Sequence, residues 1–62
     1  MFQEAVRERL NKYQTEKGVR WGFIAQKIGI PHYVLSFYKD GKKNLWDSSL
    51  AKLDEYLRQQ GY

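Results

Sequence analysis

The sequence contains no cysteine and only one histidine, His32, in 62 residues. A chain this short buries only about 60% of the surface that its unfolded form exposes, so domains of this size often depend on disulfides or a bound metal. This chain has neither the thiols nor the ligand set for such a cross-link. Its stability must come from close packing of side chains, and an aromatic content of 16% suits that purpose.

Apolar side chains recur at helical spacing along most of the chain. Residues three and four apart lie on one face of a helix, so each such series predicts an amphipathic helix. The predicted helices cover about residues 2–16, 21–28, 31–39 and 47–60, and no segment alternates as a half-buried strand does. Their predicted apolar faces contain Phe2, Ala5, Val6, Leu10, Tyr13, Phe23, Ile24, Ala25, Ile28, Leu35, Tyr38, Leu50, Leu53 and Leu57. The sequence therefore predicts a single all-α domain over residues 1–62.

Glycine, proline and polar residues mark the predicted ends of these helices. Gly29 and Gly61 follow predicted helices, where a residue free to take positive φ is favoured. Pro31 is expected in the first turn of the third helix, because a proline there loses no hydrogen bond. The segment 47–49, Asp-Ser-Ser, offers candidate N-caps for the last helix.

Several classes of protein do not fit the sequence. No apolar run approaches the roughly 18 residues that a membrane-spanning helix needs. The first residues, Met-Phe-Gln-Glu, carry an acid where a secretory signal has cations and then an apolar stretch. Together with the lack of cysteine, this start predicts a cytoplasmic protein. A domain of this size is also too small for the cleft that small-molecule catalysis normally occupies, so an enzyme is not expected.

Positive charge is concentrated in the middle of the chain. The net charge is +4 and the pI is near 9.5. Residues 17–45 carry six cations against Asp40 alone, a net charge of +5, and the two flanking segments add zero and −1. Such an excess is typical either of a solvated face or of a surface for a polyanionic partner. The second interpretation is favoured because the excess coincides with the predicted second and third helices and the loop that follows them.

A close pair of helices is predicted around Gly29. Ala25 is small enough to let a second helix cross closely over the first, and Gly29 lets the chain reverse sharply. Ile30 is then expected to turn inward. This spacing is typical of the helix-turn-helix, in which the first helix braces the second and the second is presented outward.

The sequence pattern also extends beyond this turn. Its elements are Ile24, Ala25, Ile28, Gly29, Ile30, Leu35, Ser36, Tyr38, Gly41, Lys42, Leu50 and Leu53. With them the chain resembles the phage-repressor-type helix-turn-helix family, the lambda-repressor-like group that includes Cro and Xre. The resemblance implies a compact all-α bundle of four or five short helices that binds operator DNA as a dimer. The chain departs from the family pattern at Trp21, Pro31 and Asp54, where a Gln, a capping Ser or Thr and a small residue are usual.

The resemblance further implies roles for the third helix and its neighbours. Four residues fall where the family reads bases, namely His32, Tyr33, Ser36 and Phe37. Imidazole and hydroxyl groups can hydrogen-bond base edges, and the aromatic rings can contact a thymine methyl. The residues expected to bind phosphates, without specifying sequence, are Arg20, Lys27, Lys39, Lys42, Lys43 and Asn44. The alternative for Tyr33 and Phe37 is packing against the first helix or a neighbouring chain.

The other aromatic residues have structural interpretations. Trp21 is expected in the core, with a position on the sugar–phosphate backbone as the alternative. Trp46 is expected in the core beside Leu45, under the last helix. Tyr56 and Tyr62 are candidates for a dimer contact through the last helix.

These patterns lead to the hypothesis of a sequence-specific DNA-binding transcriptional regulator. It would be a small bacterial or phage repressor that places the third helix of each protomer in the major groove of double-stranded DNA. The expected assembly is a homodimer or a larger regulatory assembly. One alternative is a protein-interaction module on the same fold, such as an antirepressor, which would use Tyr33 and Phe37. Another is a DNA-packing or recombination accessory with little specificity.

No catalytic residue, metal, cofactor or small-molecule substrate is expected. His32 has no companion residues that could complete a metal site. As a catalytic base it would have Ser36 four residues away on the same helix. That pair has no evident orienting acid and no oxyanion hole.

Overall fold

The computed structural model of the chain describes residues 3–62. Four helices form there: α1 (Gln3–Lys17), α2 (Trp21–Ile28), α3 (His32–Lys39) and α4 (Asp47–Gln59). The all-α prediction is confirmed, and the described residues contain neither a strand nor a fifth helix. Phe2, predicted to begin the first helix, lies outside the described residues. Within residues 3–62, no helix combines the length and the apolar character that crossing a membrane requires.

One hydrophobic core joins the four helices. Helix α1 packs on α3 and α4, and α2 packs on the same two helices. The buried apolar residues are Val6, Leu10, Tyr13, Ile24, Ala25, Ile28, Leu35, Tyr38, Leu45, Leu50, Leu53 and Leu57. All except Leu45 belong to the predicted apolar faces. Ala5, also predicted there, is exposed, because it lies about 100° around the helix from Val6.

Helix α2 turns one of its aromatic residues outward. Ile24, Ala25 and Ile28 define its inward direction. At about 100° per residue, Phe23 points to the opposite side, and the prediction that it is buried is wrong, since 47% of its surface is exposed. Trp21 lies on the inward side and packs, partly buried, against the core.

The start of α4 also differs from its prediction. Trp46 was expected in the core beside Leu45. Leu45 is buried there, but the prediction for Trp46 is wrong, since 80% of its surface is exposed. The backbone explains the difference, because Trp46 occupies the N-cap in an extended conformation (φ −64°, ψ 155°) with no side-chain cap. The expected N-caps, residues 47–49, therefore lie inside the helix. There the carboxylate of Asp47 is in the first turn, near the positive end of the helix dipole.

Polar contacts join α1 to the C-terminal end of the chain. Arg9 donates from Nε to the Tyr62 carbonyl at 2.8 Å and from Nη1 to Asp54 Oδ1 at 2.5 Å. The hydrogen bond from Arg9 holds the pKa of the Asp54 carboxyl below its ordinary value. Asp54 also accepts from Arg58 at 3.2 Å. Asp54 thus carries an ion pair that ties α4 to α1.

Tyr56 and Tyr62, the candidates for a dimer contact, are engaged within the chain. The hydroxyls of Tyr13 and Tyr56 lie 2.7 Å apart, and the Tyr62 hydroxyl donates to Glu16 Oε1 at 2.5 Å. Both rings pack edge to face on the Tyr13 ring, with centroids 5.7 and 5.2 Å from it. Burial raises the pKa of Tyr56, and the hydrogen bond to Glu16 raises that of Tyr62. These contacts therefore hold α4 and the C-terminal Tyr62 against α1.

Candidate nucleic-acid interface

A tight turn joins α2 to α3. Gly29 adopts a left-handed conformation (φ +76°) and donates its N–H to the carbonyls of Ala25 and Gln26. The N–H of Ile30 bonds to the Ala25 carbonyl at 3.1 Å, the pattern of a Schellman motif, which favours glycine at the left-handed position. Pro31 follows in an extended conformation (φ −61°, ψ 146°) as the N-cap, so α3 begins one residue later than predicted.

Helix α3 has a sharply divided surface. Leu35 and Tyr38 are fully buried, as predicted. Among the four candidate base-reading residues, His32, Tyr33 and Phe37 are exposed, whereas Ser36 is half-buried. Three of the four side chains thus share an accessible face, and the hydroxyl of Ser36 lies at its margin.

The two aromatic residues on this face contact each other. The rings of Tyr33 and Phe37 meet edge to face, with centroids 6.3 Å apart. Their exposed fractions are 64% and 44%. Each ring therefore keeps a large accessible surface, so the alternative of burial against α1 is not observed in this chain. Contact with a neighbouring chain stays a prediction.

His32 lies beside the beginning of α2. A Cβ built on Gly22 would be 4.0 Å from His32 Nδ1. The first turns of α2 and α3 therefore meet at one end of the helix pair. Among residues 3–62 no three potential metal-ligating side chains come together.

The candidate phosphate-binding residues differ in how freely they are presented. Arg20, Lys27, Lys42 and Lys43 are exposed. Lys39 is more restrained, because its Nζ lies 5.2 Å from the centroid of the Trp21 ring and 2.9 Å from Asp40 Oδ1. That hydrogen bond also holds the pKa of Asp40 below its ordinary value.

The loop after α3 begins at a second left-handed glycine. Gly41 has φ +77°. Its N–H bonds to the Tyr38 carbonyl at 3.1 Å, and the N–H of Lys42 bonds to the Phe37 carbonyl at 2.9 Å. This Schellman closure ends α3 and leads the chain directly into Lys42 and Lys43.

Arg7 is a site residue that the sequence pattern does not predict. Only 7% of its surface is exposed. Its Nε donates to the Tyr38 carbonyl at 2.6 Å, and its Nη2 donates to Asn44 Oδ1 at 2.9 Å and to the Lys43 carbonyl at 3.3 Å. It also forms an ion pair with Glu4. Arg7 is next to Val6 of the apolar face of α1, which was the one indication in the sequence that it could be buried. The carbonyls that it binds come close to it only in the folded chain.

Further hydrogen bonds tie the same loop and the end of α3 to α1. The Gln3 side-chain amide donates to the Leu45 carbonyl at 2.8 Å and accepts from the Leu45 N–H at 3.3 Å. The Tyr38 hydroxyl donates to the Gln3 carbonyl at 2.9 Å, and burial raises the pKa of Tyr38 to about 12. The loop that carries Lys43 and Asn44 is consequently fixed at several backbone atoms.

A groove of about 360 Å³ lies between α3 and this loop. Tyr33 and Trp46 both line it, and its apolar lining includes Ile30, Val34 and Leu45. The polar groups that line it come from Lys43, Asn44 and Ser49. The groove could not be predicted from the sequence, because Trp46 was expected in the core.

Comparisons of the chain with protein-family models, with curated protein sequences and with solved structures find no match.

Proposed function

We propose that this chain is a sequence-specific DNA-binding regulator of the phage-repressor type. In this proposal α2 and α3 form its helix-turn-helix, and α3 enters the major groove. It would act in the cytoplasm as a homodimer with one protomer on each half-site. The observation that carries the proposal is the accessible face of α3, where His32, Tyr33 and Phe37 are exposed beside a tight, glycine-closed turn.

The groups on α3 have the chemistry that base reading needs. The imidazole of His32 and the hydroxyl of Ser36 can bond to base edges, and the rings of Tyr33 and Phe37 can contact thymine methyls. Since Ser36 is half-buried, His32 and the two rings would make most of the contact.

The charge distribution supports the same orientation. Arg20 precedes α2, and Lys42 and Lys43 follow α3 as exposed cations, whereas the exposed Lys27 lies beside α4. Asn44 is exposed as well, although its side-chain oxygen accepts from Arg7. Phosphate contacts of this kind supply affinity and register, whereas the base contacts supply specificity. Lys39 would contribute less, because Asp40 already binds its ammonium.

Fluorescence anisotropy with a labelled random duplex tests whether DNA binds at all. Titrations between about 50 and 200 mM salt should show an affinity that falls steeply as salt rises. Selection of bound sequences from a random duplex pool should then recover paired half-sites about one helical turn apart. A chain that binds no duplex at about 50 mM salt would rule out this function.

A second candidate function is favoured by one observation. The exposed aromatic surface includes Trp46 as well as Tyr33 and Phe37, and such residues are enriched at protein–protein interfaces. The chain could then act on another regulator, as an antirepressor does. Absence of duplex binding together with loss of a partner contact in Phe37→Ala would support this candidate.

A further inference from the structure

We propose that the groove between Tyr33 and Trp46 is a stacking site for an unpaired base, so that the chain also binds single-stranded nucleic acid. The inference extends the proposed function, on which it rests only in placing nucleic acid along the same side of the molecule. Duplex reading by α3 and capture of an unpaired base in the groove are alternative uses of the Tyr33 ring, and they involve different forms of nucleic acid. Each can fail without the other.

The apolar part of the groove suits the face of a base. Tyr33 and Trp46 are the two most exposed large hydrophobic residues among those described. Base stacking on aromatic side chains tolerates any sequence, because every base offers a π-face. Beneath them the buried side chain of Leu45 contributes to the lining. The volume of about 360 Å³ is at the lower end of the range of about 300–1,000 Å³ that ligand sites occupy.

The polar part of the groove suits the edge of a base and its phosphate. Arg7 holds the Asn44 side-chain oxygen at 2.9 Å, so the amide nitrogen of Asn44 is the group that remains to donate to a base. Every base carries an acceptor for such a donor. Ser49 adds a hydroxyl, and Lys43 adds a positive charge that can pair with a phosphate of the bound nucleic acid.

The positive charge of the groove favours a nucleotide over an apolar peptide segment. The residues that line the groove include Lys43 but no acid, and Lys42 precedes it as a second exposed cation. A nucleotide supplies an aromatic ring and a negative charge within one unit, which this combination of side chains matches. Cationic grooves with exposed aromatic residues are the common design of single-strand binding sites.

The polar side of the groove is held in place before any ligand arrives. The Lys43 carbonyl and the Asn44 side chain are both bound by Arg7, and Gln3 makes two hydrogen bonds to Leu45. A base entering the groove would not have to order this loop. Ordering a flexible loop on binding would cost entropy, so a preformed site binds its ligand more tightly than a flexible one.

The test uses the full chain and labelled (dT)12 as the probe. Trp46→Ala and Tyr33→Ala should each weaken binding of (dT)12 about 5- to 150-fold, the range found when a stacking aromatic is removed. Phe23→Ala is the matched control, because Phe23 is an exposed aromatic residue that does not line the groove. It should change binding less than about twofold, well below the effect of losing a stacked base. Circular dichroism of each variant checks that the helices are intact.

A second measurement follows Trp46 directly. In a Trp21→Phe background Trp46 is the sole tryptophan, and its emission should be quenched saturably by (dT)12. Equal (dT)12 affinity in wild type and Trp46→Ala, or emission that (dT)12 leaves unchanged, would overturn the inference. So would a concentration-dependent dimer that Trp46→Ala abolishes, because a second copy would then cover the groove.

The two proposals separate in one pair of titrations at about 50 mM salt, where electrostatic affinity is strong. Binding of a mixed-sequence duplex without (dT)12 overturns the inference and leaves the proposed function standing. Binding of (dT)12 without the duplex supports the inference and overturns the proposed function. No binding of either overturns both.

Discussion

At the scale of single residues, two glycines in the helix pair have opposite roles. Gly22 lies within α2 at an ordinary helical φ, and a Cβ there would make only a 4.0 Å contact with His32. Gly29 lies just after α2 at φ +76°, where an added Cβ would meet nothing within 4 Å. The two sites therefore separate the effect of backbone conformation from the effect of space.

We expect Gly22→Ala to stabilise the fold by about 0.5–1 kcal/mol, because alanine restricts the unfolded chain and favours the helix. We expect Gly29→Ala to destabilise it by about 1–2 kcal/mol, since a side chain is strained in the left-handed region. Thermal unfolding followed by circular dichroism should shift the midpoint by about 4–8 °C per kcal/mol in a domain of this size. A lower midpoint for Gly22→Ala would contradict the first expectation.

Arg7 shows why a buried cation need not weaken a small core. Its guanidinium binds the backbone carbonyl of Tyr38, and its Cζ lies 4.5 Å from the centroid of the Tyr38 ring. A planar fork of five donors can bind several acceptors at fixed angles, which a lysine ammonium cannot do. The same geometry reaches two residues of the loop after α3.

We expect Arg7→Lys to lower the free energy of unfolding by about 1.5–3 kcal/mol, the range for hydrogen bonds of a charged group. Urea unfolding at neutral pH measures it. The matched control is Arg58→Lys, at an exposed cation that also pairs with an acid, and its effect should stay within about 0.5 kcal/mol. Equal losses in the two variants would show that the hydrogen bonds of Arg7 contribute nothing specific.

At the scale of helices, α1 is attached to α4 through Arg9 and Asp54. Arg9 and Arg58 both bind the carboxylate of Asp54. The hydrogen bond from Arg9 lowers the pKa of Asp54 in the folded chain, so the unfolded chain takes up a proton there more readily. The resulting stability is present above the unfolded pKa of about 3.9 and is lost as the pH falls through the lower folded pKa.

We expect Asp54→Asn to be less stable than wild type at pH 7, by no more than about 1 kcal/mol because the pair is partly exposed. The difference should shrink as the pH falls from about 5 to 3, since protonation removes the same interaction from wild type. Urea unfolding at a series of pH values measures both. Glu55→Gln, one residue along α4 at an exposed position, should show no such convergence; if it does, the pH dependence does not belong to Asp54.

The helices could be predicted from the sequence because their signals are local. Spacings of three and four residues identified α1 to α4 within a residue or two at each end, and they identified the inward faces of α3 and α4. The errors lie where local signals end. Trp46 and Phe23 are large and apolar, but whether such a side chain is buried depends on which elements pack beside it.

The candidate site was predictable in part for the same reason. The exposed face of α3 follows from helical geometry once Leu35 and Tyr38 are placed inward. The groove does not, because it needs the loop near Trp46 to lie against α3, a contact between separate elements. Arg7 was also beyond prediction, since the backbone carbonyls that it binds are 31 and 36 residues away.

At the scale of the whole molecule, the charge is polarised. The excess of +5 lies in residues 17–45, while the rest of the chain is close to neutral. A protein that neutralises phosphates with such a region releases counterions, so the affinity falls linearly with salt on logarithmic axes.

We expect Lys42→Ala to lower that slope by about 0.9 and to weaken binding to all duplex sequences alike, because a phosphate contact carries no sequence information. Anisotropy titrations at several salt concentrations measure the slope. Lys12→Ala removes an equally exposed cation from α1, outside the positive region, and should leave the slope unchanged. Equal slopes for Lys42→Ala and wild type would exclude a phosphate contact at Lys42.

The position of the loop after α3 depends on α1, near the other end of the chain. Its positions 43–45 are bonded to Gln3 and Arg7 in the first turns of α1. We expect opening of this segment to be coupled to undocking of α1, so that its amide protons exchange with solvent in the same event. We therefore expect local fraying of the first turns of α1 to disturb the groove before it disturbs the rest of the core.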